Sequence, residues 1–224
     1  LSGRTRDANM HHLAGQLTEA GITLAEVRVV SDDHDAIVRA LNDLRDTWDT
    51  VFTSGGIGPT HDDITADAVA DAFDAHIDVR DDARALLAAH YARTGAELNA
   101  ARLRMARIPE GATLIDNPVS IAPGFSIGNV HVMAGVPSVF QAMVATVLPT
   151  LTGGEPMLST STRIDRGEGD IAGPLGILAQ DYADLSVGSY PFQKDGKFGS
   201  NIVIRGQDRA RLEEATARLA TLLG

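Results

Sequence analysis

The chain has 224 residues, no cysteine, 19 Lys and Arg against 30 Asp and Glu, and a formal net charge of −11. That length suits one large domain or two small ones, and 44% apolar with 22% charged residues excludes a disordered chain. The missing cysteines exclude disulfides, thiolate-held zinc, iron–sulfur clusters and a cysteine nucleophile, and the acidic balance argues against a grip on nucleic-acid backbones.

No apolar run approaches the roughly 20 residues of a membrane span, so neither a membrane nor a nucleic acid is an expected partner. No basic-plus-apolar leader opens the chain, and the expectation is a cytoplasmic protein. Lys194 and Lys197 are the only lysines. No glycine-rich stretch is followed by one, which excludes P-loop chemistry.

In chain order, Met10, Leu13, Ala14 and Leu17 predict a helix from Asn9 to Ala20 that stops at Gly21. The β-branched run Ile22–Val30 predicts a strand. Ser31–His34 is a polar corner that can cap the next helix, whose face is Ile37, Val38, Leu41 and Leu44. Thr50–Ser54 predicts a buried strand running into glycines, and Ile64, Ala68, Val69, Ala72 and Phe73 a helix after them. Arg84–Arg93 is helical up to Gly95. Ala112–Ile115 and Asn129–Met133 are strands, and a helix follows Gly135-Val136-Pro137 to Val147.

A break near Pro149–Pro156 opens a second pattern. It reads strand Leu158–Ile164, helix Ile171–Tyr182, strand Leu185–Pro191, strand Ser200–Arg205 and helix Arg209–Leu222. These alternations predict an α/β fold: a three-layer α/β/α domain with a mostly parallel sheet over residues 1–150, and a small α+β unit over 157–224.

The stretch Ser54-Gly55-Gly56-Ile57-Gly58-Pro59-Thr60-His61-Asp62-Asp63-Ile64-Thr65 is a strand end, a flexible turn and a helix start. Glycines allow close backbone approach, and a helix N-terminus favours an anion such as phosphate. Thr60 and Asp63 also match a capping box, so a local structural role stands beside the ligand role. Two adjacent acids would repel phosphate unless a cation lies between them, which predicts Mg²⁺ or another divalent ion bridging carboxylate and phosphate.

GGIGPTHDDIT resembles the signature of the molybdopterin-binding domain family, and more closely that of its competence/damage-inducible protein A branch. Leu1–Asn9 resembles the branch's "SG…D-x-N" opening, Asn117–Phe125 its "APGF" segment and Val132–Pro137 its "PG-x-P" loop. Gly188-Ser189-Tyr190-Pro191 is similar to the branch's second, KH-like subdomain.

The resemblance implies roles residue by residue. Asp63 and Asp32 would be the catalytic and metal-holding carboxylates, with Asp32 equally readable as a helix cap. Ser54, Gly55, Gly56, Gly58, Thr60, Asp62 and Thr65 would face the ligand. Asp7 and Asn9 would line the same crevice or cap the first helix. Asn117, Gly135, Pro137 and Ser138 complete the set, Ser138 being also a possible cap.

Ala134 and Ser120 stand where the family has Pro and Gly, and His61 departs from the adenylylating members. Members also begin with a strand before the segment matching Leu1-Ser2-Gly3, so the expectation is a fragment of a slightly longer protein. The implied function is a divalent-metal-dependent nucleotide pyrophosphatase acting on ADP-ribose or a related dinucleotide. The alternative is a non-catalytic binder of molybdopterin or a pterin nucleotide. A homo-oligomer, dimer or trimer, is implied too. Gly196-Lys197-Phe198-Gly199 spells an RNA-binding GxxG but lies between strands, and is expected to be a hairpin turn.

Overall fold

The first described residue, Asp7, starts the first helix: its Oδ1 accepts the Met10 N–H at 2.9 Å and caps α1 (Ala8–Glu19). The structure, a computed structural model, describes residues 7–194 and 196–224. Leu1–Arg6 of the opening motif lie outside the described residues. Leu13 and Leu17 are the buried stripe of α1.

Residues 22–30 form no strand, contrary to their β-branched composition. Val27, Val29 and Val30 are exposed, while Glu26 accepts from Trp48 Nε1 and Arg28 donates to Asp43. Strand propensity becomes a strand only where a second backbone completes the hydrogen bonds, and among the described residues none pairs here. Asp33, not Asp32, caps α2 (His34–Thr47), accepting from the Ala36 N–H at 2.8 Å. The buried face of α2 is Ile37 and Leu41, backed by Val38 and Leu44.

β1 (Val51–Ser54) leads through the glycine turn to α3 (Thr65–Ala72). β2 (Ile77–Val79) pairs antiparallel with β3 (Arg107–Pro109), a small ribbon the sequence pattern did not announce. Between them lie α4 (Asp81–Thr94) and a one-turn α5 (Ala100–Leu103), followed by a 3₁₀ turn over Arg104–Ala106. Three residues per strand carry too little alternation to register as a period.

β4 (Thr113–Ile115), β5 (Gly124–Ile127) and β6 (Val130–Met133) complete a four-stranded sheet in the order β1-β6-β5-β4. The β1–β6 ladder is parallel, Val51 opposite Val130 and Ser54 opposite Met133; the other two ladders are antiparallel. The sheet of this α/β domain is therefore mixed. Its parallel part, among the described residues, is the pair whose ends build the glycine turn. Val130 and Val132 pack with α2 and α3, together with Ala68, Val69 and Phe125. Met133 points to the other face, where α6 (Pro137–Val147) buries Phe140 and Met143.

The C-terminal elements are β7 (Leu158–Ile164), α7 (Glu168–Asp181), β8 (Ser186–Lys194), β9 (Lys197–Gly206) and α8 (Arg209–Leu223). They form an antiparallel sheet, β7-β9-β8, and a core of Ile171, Leu178, Ile202, Ile204, Leu212 and Leu219. Pro191 is tolerated because β8 is an edge strand. Of the GxxG, Lys197, Phe198 and Gly199 belong to β9 and only Gly196 to the turn, so no clamp between helices is present there. The chain divides into two compact units, residues 1–16 with 24–152, and 17–23 with 153–224. No helix of the described residues is long and apolar enough to cross a membrane.

Ser126 and His131 face each other across β5 and β6, with Ser126 Oγ 2.7 Å from His131 Nδ1 and the Phe52 ring 5.3 Å away. Burial holds the His131 imidazole below its ordinary 6.5. The unfolded chain therefore binds a proton that the folded chain refuses. Stability should fall as pH drops from 6.5 toward the lower folded value. His131→Gln should flatten that stretch of the profile, measured by urea unfolding at stepped pH.

Candidate functional site

β1 ends at Ser54, and Gly55 and Gly56 follow at φ +103° and +71°. Only glycine adopts such angles without strain. The Gly55 N–H donates to Met133 O at 2.9 Å, prolonging the parallel ladder. The Thr65 N–H donates to Gly56 O at 2.9 Å, closing the loop onto the start of α3. A side chain on Gly56 would overlap Thr65 Oγ1, and one on Gly135 would lie 3.1 Å from the Gly55 Cα. The loops leaving β1 and β6 thus touch backbone to backbone.

Asn9 ties them together. Its Nδ2 donates to Ser54 Oγ and to Gly135 O, each at 2.8 Å. The residue is only 6% exposed, and its buried Oδ1 has no partner among the described residues. Such an acceptor costs about 1–3 kcal/mol until a donor meets it. An N–H or O–H of a ligand held over the turn would do so.

The acids sit on the far side of the turn. Asp63 Oδ2 accepts the Thr60 N–H at 2.8 Å and the Thr60 hydroxyl at 2.6 Å. This is the backward half of the expected capping box, but Thr60 is not the helix cap: α3 begins five residues later, at Thr65, with Ile64 as N-cap. Gly58 permits the arrangement, since a Cβ there would lie 2.6 Å from Asp63 Oδ2. Asp62 is exposed beside it, and the neighbouring Thr60 hydroxyl holds its carboxyl below the usual carboxylate range. That hydroxyl has one proton, and its 2.6 Å contact gives the proton to Asp63, so the two acids compete for one donor.

The other candidates have roles of their own. Asp32 is exposed at the bend before α2. The link from that corner to α3 is His34 Nε2 to Asp71 Oδ2 at 3.1 Å, near the end of α3 away from Asp63. Asp7 serves as the α1 cap. Asn117 is buried and fully used inside its own loop: Nδ2 donates to Ser120 Oγ and Ala122 O, while Oδ1 accepts from Val119 and Ser120. Pro137 is the first residue of α6 and Val136 its N-cap, so exposed Ser138 does not cap the helix.

Arg104, which the sequence reading passed over, donates from Nη2 to the Asp63 carbonyl at 3.3 Å. The faint signal was a run of arginines, 102, 104 and 107, in an acidic chain.

Among the described residues no three His, Asp or Glu side chains converge on one point. Mg²⁺ commonly takes one or two carboxylates and fills its remaining positions with substrate phosphate and water. Asp62 and Asp63 would be the carboxylates to hold such an ion; they form no all-protein cage among the described residues.

Two substitutions test this framework. Gly56→Ala should lower stability by about 2 kcal/mol or more, through positive φ and overlap with Thr65. Asn9→Ala should cost about 1–3 kcal/mol by removing the bonds of its buried amide to Ser54 Oγ and Gly135 O. Chemical denaturation reads both.

Comparison with known proteins extends the geometry. Residues 1–153 match the "Probable molybdopterin binding domain" family, and residues 156–224, for which the resemblance implied a KH-like subdomain, match "FAD synthase, middle domain". A protein of Caldivirga maquilingensis is 36% identical over 155 residues, 67% of this chain and 60% of that relative. A CinA-like protein of Citrifermentans bemidjiense is 39% identical over 158 residues, 68% of this chain and 38% of that relative. The chain therefore spans less than two thirds of the length of these relatives. The crystal structure of the protein CinA, of unknown function, from Thermoplasma acidophilum is 33% identical, with a TM-score of 0.60 over 66% of this chain and 89% of that one. The family match takes in the glycine turn, the Asn9 tie and the Gly135 loop alike, and the chain belongs to the probable molybdopterin binding domain family, with CinA-like proteins among its relatives.

Proposed function

We propose that the glycine turn holds the diphosphate of a nucleotide and that the protein is a metal-dependent nucleotide pyrophosphatase acting on ADP-ribose or a related dinucleotide. The observation that carries this reading is Asn9: a buried amide that fastens Ser54 and Gly135 while its Oδ1 has no donor among the described residues, beside a turn where side chains on Gly56 and Gly58 would overlap their neighbours. A diphosphate would lie against such a side-chain-poor backbone and accept from N–H groups of the turn. The buried Oδ1 takes a hydroxyl or amino donor of the same molecule.

Asp62 and Asp63 would hold a divalent cation against the phosphate oxygens. When bound, that ion supplies Lewis-acid polarisation of phosphorus and a water of lowered pKa. Water adds to one phosphorus, the bridging P–O bond breaks, and ADP-ribose yields AMP and ribose 5-phosphate. The FAD synthase name attached to the C-terminal match adds FAD as a second dinucleotide to try.

One observation favours the alternative, a protein that binds a molybdopterin or pterin nucleotide without cleaving it. Among the described residues no three His, Asp or Glu side chains converge to hold a metal ion, and Asp62 and Asp63 are the adjacent acids of the turn. The two readings part experimentally. Incubation with ADP-ribose and Mg²⁺, Mn²⁺ or Co²⁺ should release AMP, and Asp63→Ala should reduce the rate at least a hundredfold with little change in melting temperature. Pterin fluorescence in the purified protein, with no AMP released, would replace the first reading by the second.

A further inference from the structure

We propose that Arg104 is the cation that receives the anionic ligand of the glycine turn, its guanidinium donating to one phosphate oxygen. The inference rests on the diphosphate reading above and names the group that would read the ligand's charge.

Arg104 opens the 3₁₀ turn after α5, where Asn99 caps the preceding helical turn by accepting from the Arg102 N–H at 3.0 Å. From there its side chain reaches the loop before α3, and Nη2 donates to the Asp63 carbonyl. Nε is shut off from solvent and has no acceptor among the described residues. It lines a small cavity, about 10 Å³, together with Gly58, Asp63, Asp67 and Arg107.

The charges there are unevenly matched. Arg107 and Asp67 neutralise each other in a two-pronged pair at 2.9 and 2.5 Å. Asp63 directs its carboxylate to Thr60. Arg104 touches only a neutral carbonyl, and no carboxylate pairs with it among the described residues. Two fillers of the cavity can be weighed. A water is of the right size and would satisfy the Nε–H, but it leaves the guanidinium charge uncompensated beside a partly dry pocket. An anionic oxygen satisfies the donor and the charge together, by the stronger charge-assisted bond. The cavity has room for one oxygen and not for a diphosphate. The ligand therefore lies on the glycine turn and sends a single oxygen toward Arg104.

The test uses the whole chain. Pyrophosphate and ADP, each with Mg²⁺, are titrated calorimetrically into wild type, Arg104→Gln and Arg104→Lys, and melting temperatures are recorded alongside. Arg104→Gln should weaken both probes at least tenfold, and Arg104→Lys, which keeps the charge, should recover most of that loss. A loss below tenfold in Arg104→Gln overturns the assignment while leaving the diphosphate reading intact. Wild type that binds neither probe overturns both.

Should Arg104→Gln fail to fold, phenylglyoxal labelling of wild type decides. Magnesium pyrophosphate should slow modification of Arg104 at least fivefold while leaving Arg163, in the C-terminal unit, unchanged. Unslowed labelling of Arg104 overturns the proposal.

Discussion

The parallel pairing of β1 with β6 is the constraint on which the site depends. Parallel neighbours finish at the same edge of a sheet, so the chain leaves Ser54 and Met133 side by side. Two loops that start so close pass with little room for side chains. A Cβ on Gly135 would lie a tight 3.1 Å from the Gly55 Cα, and Gly55 itself has a positive φ that side chains rarely adopt. The Gly55 N–H to Met133 O bond then carries the ladder one step beyond the strands. Asn9 completes the junction from a third element, with one amide nitrogen serving two acceptors.

The same economy of side chains recurs along the turn. Gly56 leaves room for Thr65, and Gly58 leaves room for the Asp63 carboxylate. The result is a turn poor in side chains, next to a pair of exposed or half-exposed acids and one arginine without a carboxylate partner among the described residues. Opposite charges are thus held apart rather than cancelled. Thr60 occupies Asp63 by neutral hydrogen bonds, and Asp67 occupies Arg107. On the reading proposed above, these separate charges would serve the cation and the anion of a metal diphosphate.

The C-terminal unit follows different rules. Its three strands are antiparallel and longer, and helices α7 and α8 supply the apolar cover for one sheet face. Alternation along β7 is regular, with exposed Ser159, Ser161 and Arg163 between less exposed residues. That regularity made this unit the easier of the two to read, because an antiparallel sheet with one wet face writes its period directly into the sequence.

Local pattern determined a good deal of this protein. The helical stripes of α2, α3 and α8, the strand ends at Ser54 and Met133, and the glycine turn with its acids were all legible, because periodicity, capping residues and glycines act within a few positions. The tertiary structure alone decided which residues share the site. Residues 22–30 have the composition of a strand but no partner backbone among the described residues. Asn117 has the chemistry of a ligand contact, but its four hydrogen-bonding positions are closed within its own loop. Asp32 is an acid after a β-branched run, but Asp33 beside it caps α2, and the corner ties to Asp71 of α3 through His34. Arg104, 41 residues from Asp63 along the chain, lies beside it in space. A sequence pattern reports what each residue can offer. Whether the offer is accepted depends on which distant backbone and side chains are brought within about 3 Å, and that is fixed by packing.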